Sequence, residues 1–148
     1  MEQKFKIPTN DGKQIYGVLH KPDKEPSSVV VIVHGLTGFM DEYLILTFAR
    51  DFVKRGVAVI RFNQYDYLDG ARRFQDTTIS MHVADTISVI AYARKQGFHN
   101  IALAGHSLGC PIAIAAAAKE KISALLLWDP AGSPAESVPK WAVRGSKI

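Results

Sequence analysis

The 148-residue sequence holds a single cysteine, Cys110, so no disulfide can form within the chain. A chain without a bridge framework fits a reducing compartment, and a cytoplasmic protein is the expectation. Long apolar runs are missing too. The longest, around residues 27–33 and 112–118, are far shorter than the ~20 residues a bilayer demands, so no membrane span is expected. Residues 1–9 are polar and charged and contain no apolar signal core. There is no dense basic stretch: the formal charge of +4 comes from scattered lysines and arginines that are not interleaved with aromatics. That argues for a solvated surface and against a nucleic-acid partner. No internal repeat, metal-ligand spacing or cofactor motif is present, and neither metal nor cofactor is expected. Finally, none of the five histidines lies beyond His106, a shortage that matters below.

What is present describes one globular domain, 47% apolar and 22% charged and long enough to bury a proper core. Phe5 and Ile7 alternate with charged neighbours, then Asn10-Asp11-Gly12 supplies residues that tolerate a tight turn. Residues 14–20 alternate again, which predicts a β-hairpin. The β-branched run 28–33 predicts a strand buried on both faces. Leu44, Ile45, Phe48, Phe52 and Val53 fall at helical spacing over 41–55, and Gly56 closes that helix. Residues 57–62 predict the next strand, and 63–78 a long polar loop. A second helix is expected over 80–97, capped by Ser80, with Val83, Ile87, Ile90 and Ala91 inward. A short strand at 101–104, a small-residue helix at 107–119 and an apolar strand at 122–128 complete the pattern. Strands alternating with helices imply an α/β fold, a mostly parallel sheet with helices on both faces. The core spans 1–130. The tail 131–148 has only Val138, Trp141 and Val143 to bury and is expected to be irregular or one short helix.

Two loops carry chemistry. Gly105-His106-Ser107-Leu108-Gly109 lies between a buried strand and a helix. A turn that tight has no room for side chains at the two glycine positions, and it pushes the Ser107 hydroxyl out over the sheet edge. This is a nucleophile elbow, with the Leu108 N–H at the helix start as a donor to a developing oxyanion. His34-Gly35-Leu36-Thr37-Gly38 follows the strand at 28–33. There the Leu36 N–H is a second oxyanion donor, Gly35 lets the main chain approach, and His34 reads as a loop-shaping hydrogen-bonding residue.

These residues and the strand–helix order between them resemble an α/β-hydrolase. The likeness is greatest to the serine esterases that include cinnamoyl and feruloyl esterases and monoglyceride lipases, and it covers residues 5–130. The resemblance implies that Ser107 attacks the acyl carbon of a small-molecule ester, with Leu36 and Leu108 forming the oxyanion hole. A distant histidine would take the serine proton and an acid would orient that histidine.

The family places its acid after a seventh strand and its histidine after an eighth. This chain has segments for about six, a core without the C-terminal strands. Two residues are candidate stand-ins. Asp129 ends the sixth strand on the elbow's side of the sheet, or simply closes it with Pro130 as a turn. His82 lies in the first turn of the second helix and either approaches Ser107 or serves as a surface or capping residue. His106 should point away from the elbow, His20 and His99 should be exposed or at strand ends, and Cys110 should be a small buried residue. Where relatives have a Gly-His-Gly turn, this chain has Asn63-Gln64-Tyr65-Asp66-Tyr67, whose tyrosines either stack on an acyl group or pack the loop. The alternative to an esterase is a shortened, noncatalytic relative that binds a small molecule or a protein partner. The last strand would be left as an apolar edge, which implies a homo-oligomer or a covering segment.

Overall fold

In a computed structural model that describes residues 1–132, the alternating N-terminal segment forms β1 (Glu2–Pro8) and β2 (Gln14–His20). They pair antiparallel, with Glu2 opposite His20 and Pro8 opposite Gln14. Gly12 takes φ +77° in the turn between them, a conformation that costs glycine nothing. The order then runs β3 (Ser28–Val33), α1 (Tyr43–Lys54), β4 (Ala58–Phe62), α2 (Ile79–Lys95), β5 (Asn100–His106), α3 (Gly109–Ala117) and β6 (Ala124–Trp128). The six strands form one sheet in the order β1-β2-β4-β3-β5-β6. β2 meets β4 antiparallel, whereas β4, β3, β5 and β6 run parallel.

Strand alternation divides β3 between two cores. Val29, Val31 and Val33 face a cluster that includes Val83, Val89, Ile90 and Ala93 of α2 and Ile112, Ala113 and Ala116 of α3. Val30 and Ile32 face Ile45 and Ala49 of α1 on the other side. The sheet is thus covered on both faces, as the continuous apolar runs require. Each fully buried valine or isoleucine contributes on the order of 1.5–3 kcal/mol. At the β1 edge, Phe5 lies over Gly17, where any Cβ would meet its ring at 2.2 Å. Phe5 also stacks on Tyr92 of α2, with centroids 4.1 Å apart.

Several local expectations change. α2 begins two residues early, because Thr78 and not Ser80 caps it and accepts the Met81 N–H at 3.2 Å. Ala91 faces solvent and Val89 takes the buried position. His20 is at a strand end, the last residue of β2, and is buried there, because Arg61 of β4 reaches it and donates from Nε to His20 Nε2 at 2.6 Å. Burial, reinforced by that guanidinium, lowers the His20 pKa. Beyond residue 132, the expectation of an irregular tail lies outside the described residues.

Candidate active site

Connections leave β3 towards β4 on one side and β5 towards β6 on the other, so the chain order reverses around β3 and β5. The carboxyl ends of strands at such a reversal form the crevice where open α/β sheets place ligands. Ser107 stands there, at the corner between β5 and α3, half-buried and at φ +50°. A left-handed serine is uncommon and costs of order 1–3 kcal/mol. Only two other described non-glycine residues have positive φ, Thr37 at +58° and Asp129 at +48°. They follow β3 and β6, the two strands that flank β5. Backbone strain therefore gathers on one short arc of the sheet rim.

The glycines are there for closeness. A Cβ on Gly105 would lie 2.6 Å from the Gly109 carbonyl oxygen and 2.7 Å from the Cys110 Cα. One on Gly109 would lie 2.1 Å from the Val33 carbonyl oxygen. Neither has positive φ, so steric contact alone demands glycine. Gly35 sits against the corner itself, where a Cβ would come within 3.1 Å of Ser107 Cβ. The loop after β3 and the corner after β5 are therefore in contact through Gly35 and Ser107. Among the described residues, neither the Leu36 nor the Leu108 N–H donates to a protein acceptor.

The corner is also tied to the end of β6. Ser107 N–H donates to the Trp128 carbonyl at 3.0 Å, and Ala131 N–H donates to the Ser107 carbonyl at 3.3 Å. Asp129, exposed and left-handed, lies between those two bonds. Cys110 is fully buried, and its thiol donates to the Gly105 carbonyl at 3.0 Å. Burial pushes that thiol's pKa up.

His34 is fixed by its neighbours. Its Nε2 accepts the Gln64 N–H at 3.1 Å, which leaves Nδ1 as the protonated nitrogen, 2.9 Å from the Gly35 carbonyl. The tautomer follows from these partners. Burial lowers its pKa, and a ring with both nitrogens engaged shapes a loop; it is not free to accept a serine proton. His106 turns to the α1 face and lies against Trp128, centroids 5.3 Å apart. That face carries an apolar groove of about 250 Å³, walled by Ile32, Ile45, Phe48, Leu126 and Trp128.

His82 departs from its expected surface position. It is buried, lies 5.9 Å from the Tyr65 ring, and its Nδ1 has no hydrogen-bond partner among the described residues. Burial, with His34 and Arg72 nearby, holds its pKa down at about 4. The two tyrosines separate: Tyr65 is buried and packs the loop edge-on against His34 and Phe74, while Tyr67 is exposed beneath Arg73. Burial, helped by Glu42, pushes the Tyr65 hydroxyl up to about 12. Sequence reasoning missed the anchor of this loop. Arg72 is buried and pairs with both Asp85 of α2 and Asp11 of the β1–β2 turn. Burial raises Asp85 to about 6 despite its arginine. Arg72, Asp85 and Asp11 are far apart in sequence and share no periodicity, so no local signal could have joined them. Among the described residues no cluster of His, Cys, Asp or Glu is placed to hold a metal ion, and no helix is long and apolar enough to cross a membrane.

A family profile described as serine aminopeptidase, S33, matches residues 24–148. Among solved structures, the chain is similar to Est1E from Butyrivibrio proteoclasticus, determined with ferulic acid bound. Identity is 29% and TM-score 0.77, over 97% of this chain and 58% of that one. It is similar in fold to an α/β serine hydrolase homologue from Coxiella burnetii (20% identity, TM-score 0.71, over 84% and 61% of the two chains). A lidless α/β serine hydrolase from Xanthomonas campestris is comparable (20% identity, TM-score 0.67, 85% and 60%). The chain therefore spans about three-fifths of the length of each of these proteins. A search of curated proteins finds no match.

Proposed function

The chain belongs to the serine aminopeptidase (S33) family of α/β-hydrolases, and from that premise we propose that it is a serine hydrolase acting on carboxylic esters, with Ser107 as nucleophile. The observation that carries this is the left-handed Ser107 at the β5–α3 corner, pressed against Gly35 of the neighbouring loop. A hydroxyl held there is presented to the crevice, and the N–H groups of Leu36 and Leu108 are the donors we assign to the oxyanion. In the reaction the Ser107 oxygen bonds to the acyl carbon, the alcohol departs with a proton, and water then releases the acid. Est1E's ferulic acid makes an aromatic acyl group the first to try.

The proton acceptor is the weak part of the machinery. Asp129 is the acid we assign to the corner, supported by the hydrogen bonds from Ser107 to Trp128 and from Ala131 to Ser107 on either side of it. His82 is the second candidate, but a ring with a pKa near 4 is a poor base. With either of these as the base, such a site is expected to be slower by about 10⁴ than a complete triad. A noncatalytic binding protein is the second reading, favoured by the engaged nitrogens of His34.

A fluorophosphonate probe decides between the two, because it reacts with an activated serine. We expect labelling, with slow turnover of p-nitrophenyl acetate, and loss of both in Ser107→Ala. Turnover that survives Ser107→Ala would refute the nucleophile, and a folded protein that the probe ignores would favour the binding protein.

A further inference from the structure

The loop between β3 and α1 is held at both ends by side chains from one short stretch: Arg61 in β4, and Asn63 and Gln64 just past its end. All three are buried. At the start of the loop, Gln64 Nε2 donates to the His34 carbonyl at 2.8 Å, beside the main-chain bond from Gln64 to the His34 ring. At its far end both main-chain groups of Met40 are engaged. The Met40 N–H donates to Asn63 Oδ1 at 2.7 Å, and its carbonyl accepts from Arg61 Nη1 at 3.2 Å. The Asn63 amide is oriented for this, because its nitrogen donates to the Asp66 carboxylate.

Between the two ends lies a strained turn. Gly38 N–H donates to the Gly35 carbonyl at 3.1 Å, and Thr37, at φ +58°, fills the position that a type II turn gives to glycine. A β-branched residue there is an outlier that persists only where its surroundings impose it. Leu36, the other central residue, carries the N–H assigned to the oxyanion, and Gly35 before it lies against the Ser107 corner. Gln64 is a poor choice for stability alone. Its Oε1 is buried with no hydrogen-bond partner among the described residues, a desolvation loss that offsets the bond its nitrogen makes.

We propose that Asn63 and Gln64 are positioning residues, a two-ended clamp that holds the strained Thr37 turn and so aims the Leu36 N–H at the Ser107 corner. Their part in catalysis rests on the proposed hydrolase reading; their hold on the turn does not. An oxyanion donor is effective because it is already in place when the charge develops. Releasing either end of the loop lets Thr37 relax to negative φ, and the turn that presents Leu36 is lost with it.

Fluorophosphonate inactivation of the full chain, resolved into the rate at saturating probe and the probe concentration giving half that rate, tests this alongside hydrogen exchange of the buried Gly38 amide. In Gln64→Met and in Asn63→Ala we expect the saturating rate to fall about 10²-fold while the half-saturating concentration changes by less than about twofold. Gly38 exchange should speed up about tenfold. The urea midpoint of Gln64→Met should match that of the wild type, which a merely structural role would not allow. Adding Thr37→Gly to either variant should restore both the rate and the slow exchange, because glycine takes φ +58° unaided. A wild-type saturating rate in either folded variant, or a loss that Thr37→Gly leaves unrepaired, overturns the proposal. If Asn63→Ala does not fold, Gln64→Met decides alone. A folded wild type that the probe ignores refutes the nucleophile instead, and the clamp is then upheld or overturned by Gly38 exchange and its recovery in Thr37→Gly.

Discussion

One half of this molecule is held by buried polar groups, and the other by backbones packed too closely for side chains. The half built from β1, β2, β4, the loop 63–78 and α2 contains His20, Arg61, Asn63, Gln64, Arg72, His82, Asp85 and Thr86, every buried polar residue but His34 among the described residues. The half built from β3, β5, α3 and β6 contains instead glycines 35, 105 and 109, crowded around the Ser107 corner and, at 105 and 109, against main chain; the crowded Gly17 of the first half meets only the Phe5 side chain. All three left-handed non-glycine residues among the described residues are also there. The sheet edges follow the same division: Glu2, Lys4 and Lys6 project from exposed positions on β1, while β6 is bare leucine and tryptophan. Polar anchoring gives the first half a defined shape at the cost of desolvation. Close approach gives the second half a strained rim on which a reactive side chain can be displayed.

The contrast breaks most visibly if the polar half turns out not to need its charges. Arg72→Met leaves Asp85 buried without its cation, and at pH 7 we expect a loss of about 3–5 kcal/mol from urea unfolding. Asp85 already has its pKa raised to about 6 from the 3.8 of the free group. Its ionised form is therefore the costly one, and the cost falls as pH drops below the folded value. The gap between Arg72→Met and the wild type should accordingly narrow from pH 7 to pH 5. A gap that stays constant would mean the pair contributes little.

The glycine half is tested by Gly109→Ala. A methyl group 2.1 Å from the Val33 carbonyl oxygen must push α3 away from β3, for a loss of about 3 kcal/mol. An unchanged urea midpoint would show that the corner is loose and that the crowding has no energetic weight.

The smallest of the three effects separates the halves by pH. His82 is held at about 4 against 6.5 in the unfolded chain. The unfolded state thus binds the proton first, and stability present above pH 6.5 is lost as pH falls towards 4. His82→Gln should remove roughly 2–3 kcal/mol of that acid sensitivity. Identical pH profiles for variant and wild type would place His82 in contact with water.

Much of the second half was legible in the sequence, because its signals are local. The valine run of β3, the glycines two residues either side of Ser107 and the apolar residues of β6 each state their role within a few positions. The first half was not. His20 was read as exposed or at a strand end and His82 as a surface or capping residue or one approaching Ser107; the burial of both was not legible, because their neighbours Arg61 and Tyr65 arrive from segments 41 and 17 residues away. The start of α2 was misplaced for a subtler reason. Thr78 and Ser80 are both good caps by composition, and only the direction of a hydroxyl distinguishes them. Asp129 was readable only as a position at the end of a strand. The hydrogen bonds that tie its neighbours Trp128 and Ala131 to Ser107 run through the main chain, which no residue pattern records.

Cys110 has a practical consequence. As the only cysteine, fully enclosed and with its thiol pKa pushed up by burial, it is inert towards thiol reagents in the folded protein. A cysteine introduced anywhere on the surface is therefore a unique chemical handle, with no background mutation needed to silence the native one. Placed along β6, such a handle could carry a spin label or a fluorophore and report directly whether that strand meets water or another chain.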